Sequence, residues 1–465
     1  MVARDFETIL KGKYPGKAHA RKAVGLLSDI ICGARGAIYL AGCPTKLLED
    51  SDEAEPFRQR RHFFYLTGCN LPDCHFIYDI QGERSILFIP PIDADEVIWC
   101  GLPMSIEEAL KEYDVDEVRY NTEIASTLQK LSATYSSSTI FTIADQYPQH
   151  LTFEGFANND AITIKRVLDI ARVVKDEYEV SMIRKANHIS GLAHESVMQQ
   201  TNTACNEMEL EAVFLGCCTS KGAKKMAYPP IFAGGRAAAT LHYEVNNAPL
   251  VKKLNILVDA GAEWENYASD ITRTYPLSGK FSHESRAIYN IVLRMQKECI
   301  AMIKEGVNWD DLHMLAHEVV IEGLLAIGIL KGDKATLLES QTSMAFFPHG
   351  LGHYLGLHTH DVGGNPGQQQ SAGYFRYLRK RGPLPAGAVI TVEPGKIYFC
   401  RTIIEPYLQD PKHSKYIDSH TLERYWGVGG VRIEDNVLVT VNGYENLTNV
   451  IKEVDELESL ISSRC

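Results

Sequence analysis

Residues 255–276 have the sequence NILVDAGAEWENYASDITRTYP, in which two apolar strands bring two aspartates into one short segment. Asp259 ends the first strand, and Asp270 begins the second, eleven positions later. A hairpin of this length can place both side chains next to each other on one face. Taken alone, the pair fits a turn residue and a solvated charge better than a functional site. Both strands should be buried, however, and two buried carboxylates repel each other unless a cation lies between them.

A second segment, FFPHGLGHYLGLHTHDVGG at residues 346–364, is rich in histidine and glycine. Its histidines are His349, His353, His358 and His360. Packing alone does not explain so many imidazoles among glycines, and a neutral imidazole is a good metal ligand, general acid or oxyanion donor. Spacing does not tell which histidine has which role, since a single buried histidine is more often a hydrogen-bonded core residue.

Two further strands each contain a glutamate among β-branched apolar residues, ITVEPG with Glu393 and VRIEDN with Glu434. Arg432 lies two places before Glu434 and so on the same strand face, which makes an ordinary ion pair the simplest explanation of Glu434 alone. Four carboxylates and a histidine together form an oxygen-rich set that favours Mn²⁺, Co²⁺ or Mg²⁺ over structural zinc. Bridging carboxylates would allow two ions about 3.5–4 Å apart.

Composition limits the function classes. The chain has 465 residues, 45% of them hydrophobic and 23% charged, which indicates a soluble globular protein of two or more domains. Its formal net charge of −12 makes nucleic acid an unfavourable partner. We expect no signal peptide and no membrane span. The eleven cysteines have no paired spacing, which is typical of reduced thiols in a cytoplasmic protein.

The order of elements predicts an α/β (α+β) chain. In the first third, the strands are predicted at ARGAIYLAG, HFFYLTG, HFIYDI and RSILFIP, with helices at EEALKEYD and NTEIASTLQKLSA. A long helical stretch follows, and we place the domain boundary inside it. The predicted domains are residues 1–174 and 175–465, and every candidate site motif lies in the second.

The motifs, in this order and at this spacing, resemble those of the pita-bread metallopeptidases, in the branch of Xaa-Pro aminopeptidases and proline dipeptidases (prolidases). The resemblance covers most of the chain, and its segments are FRQRRHFFYLTG, YPPIFAGGRAAATLHY, VDAGAEWENYASDITRTYP, HGLGHYLGLHTHDVGG, TVEPG and GGVRIEDNVLVT. It implies an N-terminal creatinase/prolidase-like α/β domain followed by a catalytic pita-bread domain. It also implies a homodimer.

The resemblance assigns roles to individual residues. Metal ligands would be Asp259, Asp270, His353, Glu393 and Glu434. They would hold two divalent ions per subunit, with Mn²⁺ favoured and Co²⁺ possible.

Catalytic and substrate-binding roles follow in the same way. His242 and His360 match histidines that contact substrate and stabilise the tetrahedral intermediate, and Glu393 also matches a proton shuttle. The substrate-binding candidates are Arg379, Arg432 and Trp99. Arg432 matches an arginine behind the metal ligands, Arg379 one near the substrate carboxylate, and Trp99 a tryptophan that reaches the partner subunit's pocket. Arg376 or Arg381 could replace Arg379.

The implied reaction is hydrolysis of the bond between an N-terminal residue and proline by a hydroxide that bridges the two ions, acting on small peptides with proline second. Arg379 and the segment IIEPYLQDPKHSKYI, which resembles an insertion of eukaryotic prolidases, favour dipeptides over longer substrates. Two alternatives stay open. One is a repurposed pita-bread hydrolase acting on a non-peptide amide, and the other is a creatinase-like enzyme that needs no metal.

The sequence departs from the family pattern at EPGKIYF, which has one residue more than usual between Glu393 and Tyr398. One extra residue turns the next side chains to the other face of a strand. Tyr398 should therefore leave the usual active-site position unless a bulge at Lys396 absorbs the insertion.

Overall fold

The computed structural model describes residues 6–135, 137–364, 373–394 and 397–462. The chain divides into two compact units, Met1–Arg172 and Val173–Cys465. Each unit has an apolar core of its own. Within the described ranges, every helix falls short of the length and apolar character that crossing a bilayer requires.

The N-terminal unit is built around one mixed sheet with the strand order β4-β3-β2-β1-β5-β6. Its strands are β1 (Gly36–Ala41), β2 (His75–Asp79), β3 (Arg84–Ile89), β4 (Glu117–Tyr120), β5 (Thr139–Phe141) and β6 (Asn158–Asp160). Its helices are α1 (Phe6–Ile9), α2 (Gly16–Ile30), α3 (Arg61–Thr67), α4 (Val97–Cys100), α5 (Ile106–Glu112), α6 (Ile124–Thr134) and α7 (Thr163–Ala171). The central strand β1 is buried along its whole length, because it pairs on one edge with β2 and on the other with β5.

The prediction of a strand at HFFYLTG is wrong, since this segment forms α3. All seven residues of the helix are buried, so the sequence shows no polar face from which a period of 3.6 could be recognised. Aromatic residues then favour a strand by propensity alone. Gly68 ends the helix in the left-handed conformation, with φ of 67°, and its N–H donates to the carbonyl of Phe64 at 2.7 Å.

The second unit begins with two long helices and continues with small antiparallel sheets. Its helices are α8 (Glu177–Met198), α9 (Glu207–Ser220), α10 (His283–Ala301), α11 (Trp309–Ala326), α12 (Lys334–Ser340), α13 (Arg401–Gln409), α14 (Pro411–Ser414), α15 (Ser419–Glu423) and α16 (Val454–Ser462). Its strands are β7 (Lys225–Met226), β8 (Ile231–Gly234), β9 (Asn255–Asp259), β10 (Ala262–Trp264), β11 (Tyr267–Ala268), β12 (Thr272–Pro276), β13 (Val389–Val392), β14 (Ile397–Tyr398), β15 (Gly430–Val431), β16 (Asp435–Thr440) and β17 (Gly443–Asn446).

Two of these sheets meet at the predicted metal ligands. One has the order β12-β9-β8 and the other the order β13-β16-β17. An isolated antiparallel bridge between Thr272 and Glu434 joins them, with the Glu434 N–H donating to the Thr272 carbonyl at 3.0 Å. Glu434 therefore lies just before β16, and Glu393 lies just after β13. Both glutamates are held by strand ends rather than by strand centres.

Candidate metal centre

The two aspartates are carried by adjoining backbone of one hairpin. Asp259 is the last residue of β9 and lies opposite Thr272 of β12, while Asp270 lies in the segment directly before β12. The Ala260 N–H donates to the Ile271 carbonyl at 3.0 Å, which closes the hairpin beside both carboxylates. A Cβ on Gly261 would lie 1.9 Å from the Ser269 carbonyl oxygen, so this close approach requires glycine.

His353 is fixed by the backbone of β13. Its carbonyl accepts from the Thr391 N–H at 2.9 Å, and its own N–H donates to the Thr391 hydroxyl at 3.1 Å. A Cβ on Gly352 would lie 2.0 Å from the Thr391 carbonyl oxygen, so glycine is required here too. Nδ1 of His353 lies 3.0 Å from the Tyr354 carbonyl. Donation from Nδ1 leaves Nε2 as the acceptor that faces the carboxylates.

Four of the five predicted ligands come together. Asp270, His353 and Glu434 are buried, and each offers one ligand atom within 4.8 Å of the others. Nε2 of His353 lies 3.4 Å from Oδ2 of Asp270 and 3.5 Å from Oε1 of Glu393. Residues from the hairpin, the histidine segment, the end of β13 and the start of β16 thus surround one point, although they are up to 164 positions apart in the sequence, from Asp270 to Glu434.

Both carboxylate oxygens of Asp259 accept hydrogen bonds from protein donors. Its Oδ1 accepts from the Tyr228 hydroxyl at 2.7 Å, and its Oδ2 accepts from Nη2 of Arg432. Nε of Arg432 donates to the Thr272 hydroxyl at 2.8 Å, which in turn donates to Oε2 of Glu434 at 2.7 Å. One buried chain of hydrogen bonds therefore connects Asp259 with Glu434.

Electrostatics show how much negative charge is confined here. Burial, followed by the charges of Asp270, Glu393 and Asp259, raises the pKa of Glu434 well above its ordinary value. For His353, burial acts against the charged form. The hydrogen bond with Asp270 and the charge of Glu393 nevertheless outweigh burial and raise the pKa of His353.

The donor set fits divalent cations. It consists of carboxylate oxygens and one imidazole nitrogen without any thiolate, which suits hard or intermediate ions such as Mn²⁺ and Co²⁺. Without a cation, burial and repulsion from the neighbouring carboxylates favour the protonated form of Glu434 and raise its pKa. A cation bound between the carboxylates would remove the same repulsion, so the residues present fit a metal centre.

A cavity of about 570 Å³ opens onto this centre. His353 and Glu393 lie in its wall, and four more of the candidate residues line it: His242, His360, Arg376 and Arg379. The rings of His353 and His360 meet edge to face with their centroids 4.4 Å apart. Burial, then the charges of His353 and Arg379, lower the pKa of His360 to about 3, so its imidazole is neutral near neutral pH.

The three predicted substrate contacts, and Arg381 as an alternative to one of them, occupy different places. Arg379 lines the cavity, whereas Arg432 is buried behind Asp259 and is not one of the described residues in the cavity wall. Arg381 forms a bidentate ion pair with Asp310, with N–O distances of 2.9 and 2.8 Å, and so is engaged elsewhere. Trp99 belongs to α4 of the N-terminal unit, where its side chain is 81% exposed.

Of the two positions that the extra residue leaves open for Tyr398, the structure shows one close to the candidate site. Its hydroxyl lies 3.4 Å from Nη1 of Arg432, and its side chain is buried. In β14 it pairs with Gly430 of β15, which brings it to the arginine that holds Asp259. Lys396, where a bulge would absorb the extra residue, lies outside the described residues.

Sequence reasoning missed Tyr228 and Thr272, which hold the outer oxygens of Asp259 and Glu434. Thr272 follows Asp270 by two positions in a strand, and this spacing could have placed it on the same face. Tyr228 opens the motif YPPIFAGGRAAATLHY, but its link to Asp259 spans 31 positions and depends on the sheet.

Comparison with known proteins decides the family. A model of metallopeptidase family M24 matches residues 181–441, and a model of the aminopeptidase P N-terminal domain matches residues 19–141. The chain belongs to metallopeptidase family M24. This M24 metallopeptidase is 62% identical over 463 residues to a probable Xaa-Pro aminopeptidase of Fusarium vanettenii, with 100% of both chains covered. It is 61% identical to one of Metarhizium robertsii, with 99% of each chain covered.

Solved structures agree in fold along almost the whole chain. A variant of Escherichia coli aminopeptidase P aligns with a TM-score of 0.80 at 28% identity, covering 97% of this chain and 99% of the other. Proline aminopeptidase P II of Yersinia pestis aligns with a TM-score of 0.79 at 30% identity, covering 97% and 100%. A further match is zinc-substituted E. coli aminopeptidase P in complex with product, with a TM-score of 0.80 and 27% identity, covering 98% and 100%. The predicted pita-bread architecture is confirmed.

Metal binding should release protons, because the raised pKa values of Glu434 and His353 keep both groups protonated to a higher pH when no cation is bound. Affinity for Mn²⁺ should therefore rise with pH and level off above those raised pKa values. Calorimetric titration of chelator-treated protein, in buffers of different ionisation enthalpy, measures both quantities.

The control compares two substitutions of glutamate by glutamine, one inside the candidate metal centre and one outside it. Glu434→Gln should bind Mn²⁺ more weakly and release about one proton fewer. Glu298→Gln removes a surface carboxylate paired with Arg294 and should leave both quantities unchanged. An affinity that does not vary with pH would contradict the charge balance described above.

Proposed function

We propose that this M24 metallopeptidase hydrolyses the peptide bond between an N-terminal residue and a following proline. The observation that carries the proposal is one cavity in which His353 and Glu393 of the candidate metal centre meet His242 and His360. Its curated relatives at 61–62% identity are named as probable Xaa-Pro aminopeptidases, and one matching structure is aminopeptidase P with the inhibitor Pro-Leu. These names support proline as the second residue of the substrate.

Two divalent ions, with Mn²⁺ favoured and Co²⁺ as the second choice, form part of the proposal. They would be held by the predicted ligands Asp259, Asp270, His353, Glu393 and Glu434. When bound, such ions supply Lewis acidity, which lowers the pKa of water and polarises a carbonyl group. Arg432 and Tyr228 would then orient Asp259, and Thr272 would orient Glu434, so that each ligand presents a fixed oxygen.

The remaining steps belong to side chains of the cavity. His360 is neutral because of its lowered pKa, and its N–H can donate to the oxyanion that develops on the scissile carbonyl. Glu393 accepts the proton of the attacking water and delivers it to the prolyl nitrogen as the C–N bond breaks. His242, which also lines the cavity, contacts the substrate. The prolyl amide has no N–H, so the cavity must recognise proline by shape.

The arginines of the cavity wall bear on a separate property of the substrate, its length. Arg376 and Arg379 line it, and either can bind the terminal carboxylate of a short peptide. Arg381 is less suited, because Asp310 engages it. We propose that Arg379 contacts this carboxylate, which favours short substrates and is compatible with turnover of both dipeptides and tripeptides.

Assembly and domain roles complete the proposal. Residues 1–174 would form the N-terminal domain and residues 175–465 the catalytic domain, supported by the spans of the two family models.

We propose a cytoplasmic homodimer. Ile98, Trp99 and Leu102 support the dimer, because they are 83%, 81% and 76% exposed on one short segment. Exposed apolar side chains this close together are typical of interaction surfaces.

Activity against a peptide panel tests the function. With Mn²⁺ restored after chelation, the protein should cleave Xaa-Pro and Xaa-Pro-Yaa peptides and leave Xaa-Ala-Yaa peptides intact. Chelated protein should be inactive, whereas a creatinase-like mechanism predicts full activity without metal. Turnover of non-peptide amides with no cleavage of any proline peptide would favour the repurposed hydrolase instead.

Arg379→Met should raise KM about tenfold or more for dipeptides with a free carboxylate, because a charge-assisted hydrogen bond is lost. Peptides whose carboxylate is amidated should show no such change. Arg376→Met is the matched control from the same wall, and the effect should be smaller there. The reverse ranking in steady-state kinetics would transfer the contact to Arg376.

Replacing both Ile98 and Trp99 by serine should shift the protein from dimer to monomer, because it removes the exposed apolar side chains that the dimer would bury. Sedimentation velocity measures the change. Leu47→Ser alters another exposed apolar residue of the same unit and should leave the dimer intact. A monomeric parent protein would refute the assembly proposed here.

A further inference from the structure

His242 is carried by an irregular segment. Residues 240–248 contain neither helix nor strand, and Leu241, His242 and Val245 are exposed. An exposed segment of this kind has many conformations, yet His242 must be held at the cavity wall to contact a substrate. Contacts between the buried side of the segment and the rest of the fold must therefore hold it in place.

Glu207 provides a fully buried carboxylate directly beneath this segment. It is the first residue of α9, and its side chain has no solvent exposure. Its Oε1 accepts from the Gly234 N–H at 2.8 Å and from Nζ of Lys253 at 3.0 Å. Its Oε2 accepts from the Tyr243 hydroxyl at 2.9 Å and from the Ala248 N–H at 2.9 Å.

The four donors come from both flanks of the segment and from the segment itself. Gly234 precedes it, Lys253 follows it, and Tyr243 and Ala248 belong to it. Hydrogen bonds to an ionised carboxylate are roughly twice as strong as those between neutral groups. The pairing of β8 with β9 already joins the two flanks, and the Glu207 side chain adds a link from these flanks to the irregular segment between them.

Other contacts hold the far end of the segment but leave His242 without direct support. Asn246 accepts from the Phe232 N–H at 2.9 Å, and Nδ2 of Asn206 donates to the Asn247 carbonyl at 2.8 Å. Tyr243, the neighbour of His242, is held instead by its hydroxyl on Glu207. Its ring also packs beside a small apolar cluster formed by Ile231, Ala233, Ala238 and Leu257.

We propose that Glu207 is a positioning residue for the reaction, which fixes His242 at the cavity wall through the Tyr243 hydroxyl. The proposal depends on the substrate-contacting role given to His242 above. Burial, then the hydrogen bond to Glu207, raise the pKa of Tyr243 to about 12, so the phenol stays protonated and keeps donating. Glutamine at position 207 cannot replace the carboxylate, because its NH₂ group would face two donors.

A double-mutant cycle between Tyr243→Phe and His242→Ala tests the proposal. Tyr243→Phe should lower kcat/KM on an Xaa-Pro-Yaa peptide about tenfold, because even a displacement of about 1 Å can reduce rates on the order of 100-fold. In the His242→Ala background the same change should cause less than about a twofold further loss. Affinity for Mn²⁺ should be unaffected, since neither residue belongs to the metal centre.

Tyr135→Phe is the matched control. Its hydroxyl donates to Asp79 at 3.0 Å, which is the same type of half-buried phenol–carboxylate bond in the N-terminal unit. It should leave kcat/KM unchanged in both backgrounds. Hydrogen exchange supplies a second readout, because Tyr243→Phe should speed exchange of the amides of residues 240–248 while those of β9 stay protected.

The outcomes separate the two proposals. If His242→Ala retains full activity, the role of His242 in the proposed function fails. If His242→Ala impairs activity and the effect of Tyr243→Phe adds to it in full, Glu207 acts on stability in general and the positioning role is overturned. Unchanged activity and unchanged hydrogen exchange in Tyr243→Phe would overturn it as well.

Discussion

Repulsion among four carboxylates is the constraint around which the catalytic unit is organised. Asp259, Asp270, Glu393 and Glu434 are confined to one buried region, and their charges raise the pKa of Glu434 well above its usual range. Buried ionised groups are tolerated only with compensating charge or hydrogen bonds. Arg432 supplies a buried positive charge behind Asp259, on the side away from the described cavity wall, so that the side toward the cavity is left for cations.

This arrangement also explains why the backbone around the carboxylates packs so closely. Side chains that repel each other stay together only if the backbone that carries them cannot move apart. Gly261 and Gly352 allow neighbouring strands to approach where any Cβ would collide with a carbonyl oxygen. Thr391 and Thr272 then lock the histidine and glutamate segments by hydrogen bonds. Backbone contacts thus define where the candidate ligands lie, which is the kind of preorganisation that electrostatic catalysis requires.

The cavity wall follows a different principle from the metal centre. The carboxylates of the candidate metal centre lie at or beside strand ends, whereas His242, Arg376 and Arg379 come from irregular segments. Irregular segments can adapt to new substrates without disturbing the centre, which suits a fold whose members share chemistry and differ in specificity. They also need anchors of their own. Arg381 is anchored by Asp310, and the His242 segment lies over the buried carboxylate of Glu207.

Particular residues show how far sequence reasoning reaches. The pattern of carboxylates in apolar strands was enough to predict a cation site, because a carboxylate buried in an apolar strand is unfavourable unless a positive charge compensates it. It left the choice among four histidines open, and only the resemblance to a family selected His353. HFFYLTG was predicted as a strand because a fully buried helix shows no amphipathic period. The position of Tyr398 stayed open, because an ideal strand turns its side chain away from the site and a bulge turns it back.

What the sequence determined by itself is the chemistry of the donors, since residue type fixes which atoms can bind a cation and which ions those atoms prefer. Tertiary structure alone decided which carboxylate oxygens accept hydrogen bonds from other parts of the protein. Arg432 and Tyr228 both bind Asp259, and no spacing rule predicts a contact between residues 173 or 31 positions apart. Local patterns report the face of a strand or helix. Long-range contacts depend instead on how sheets pack, and packing is set by the whole core at once.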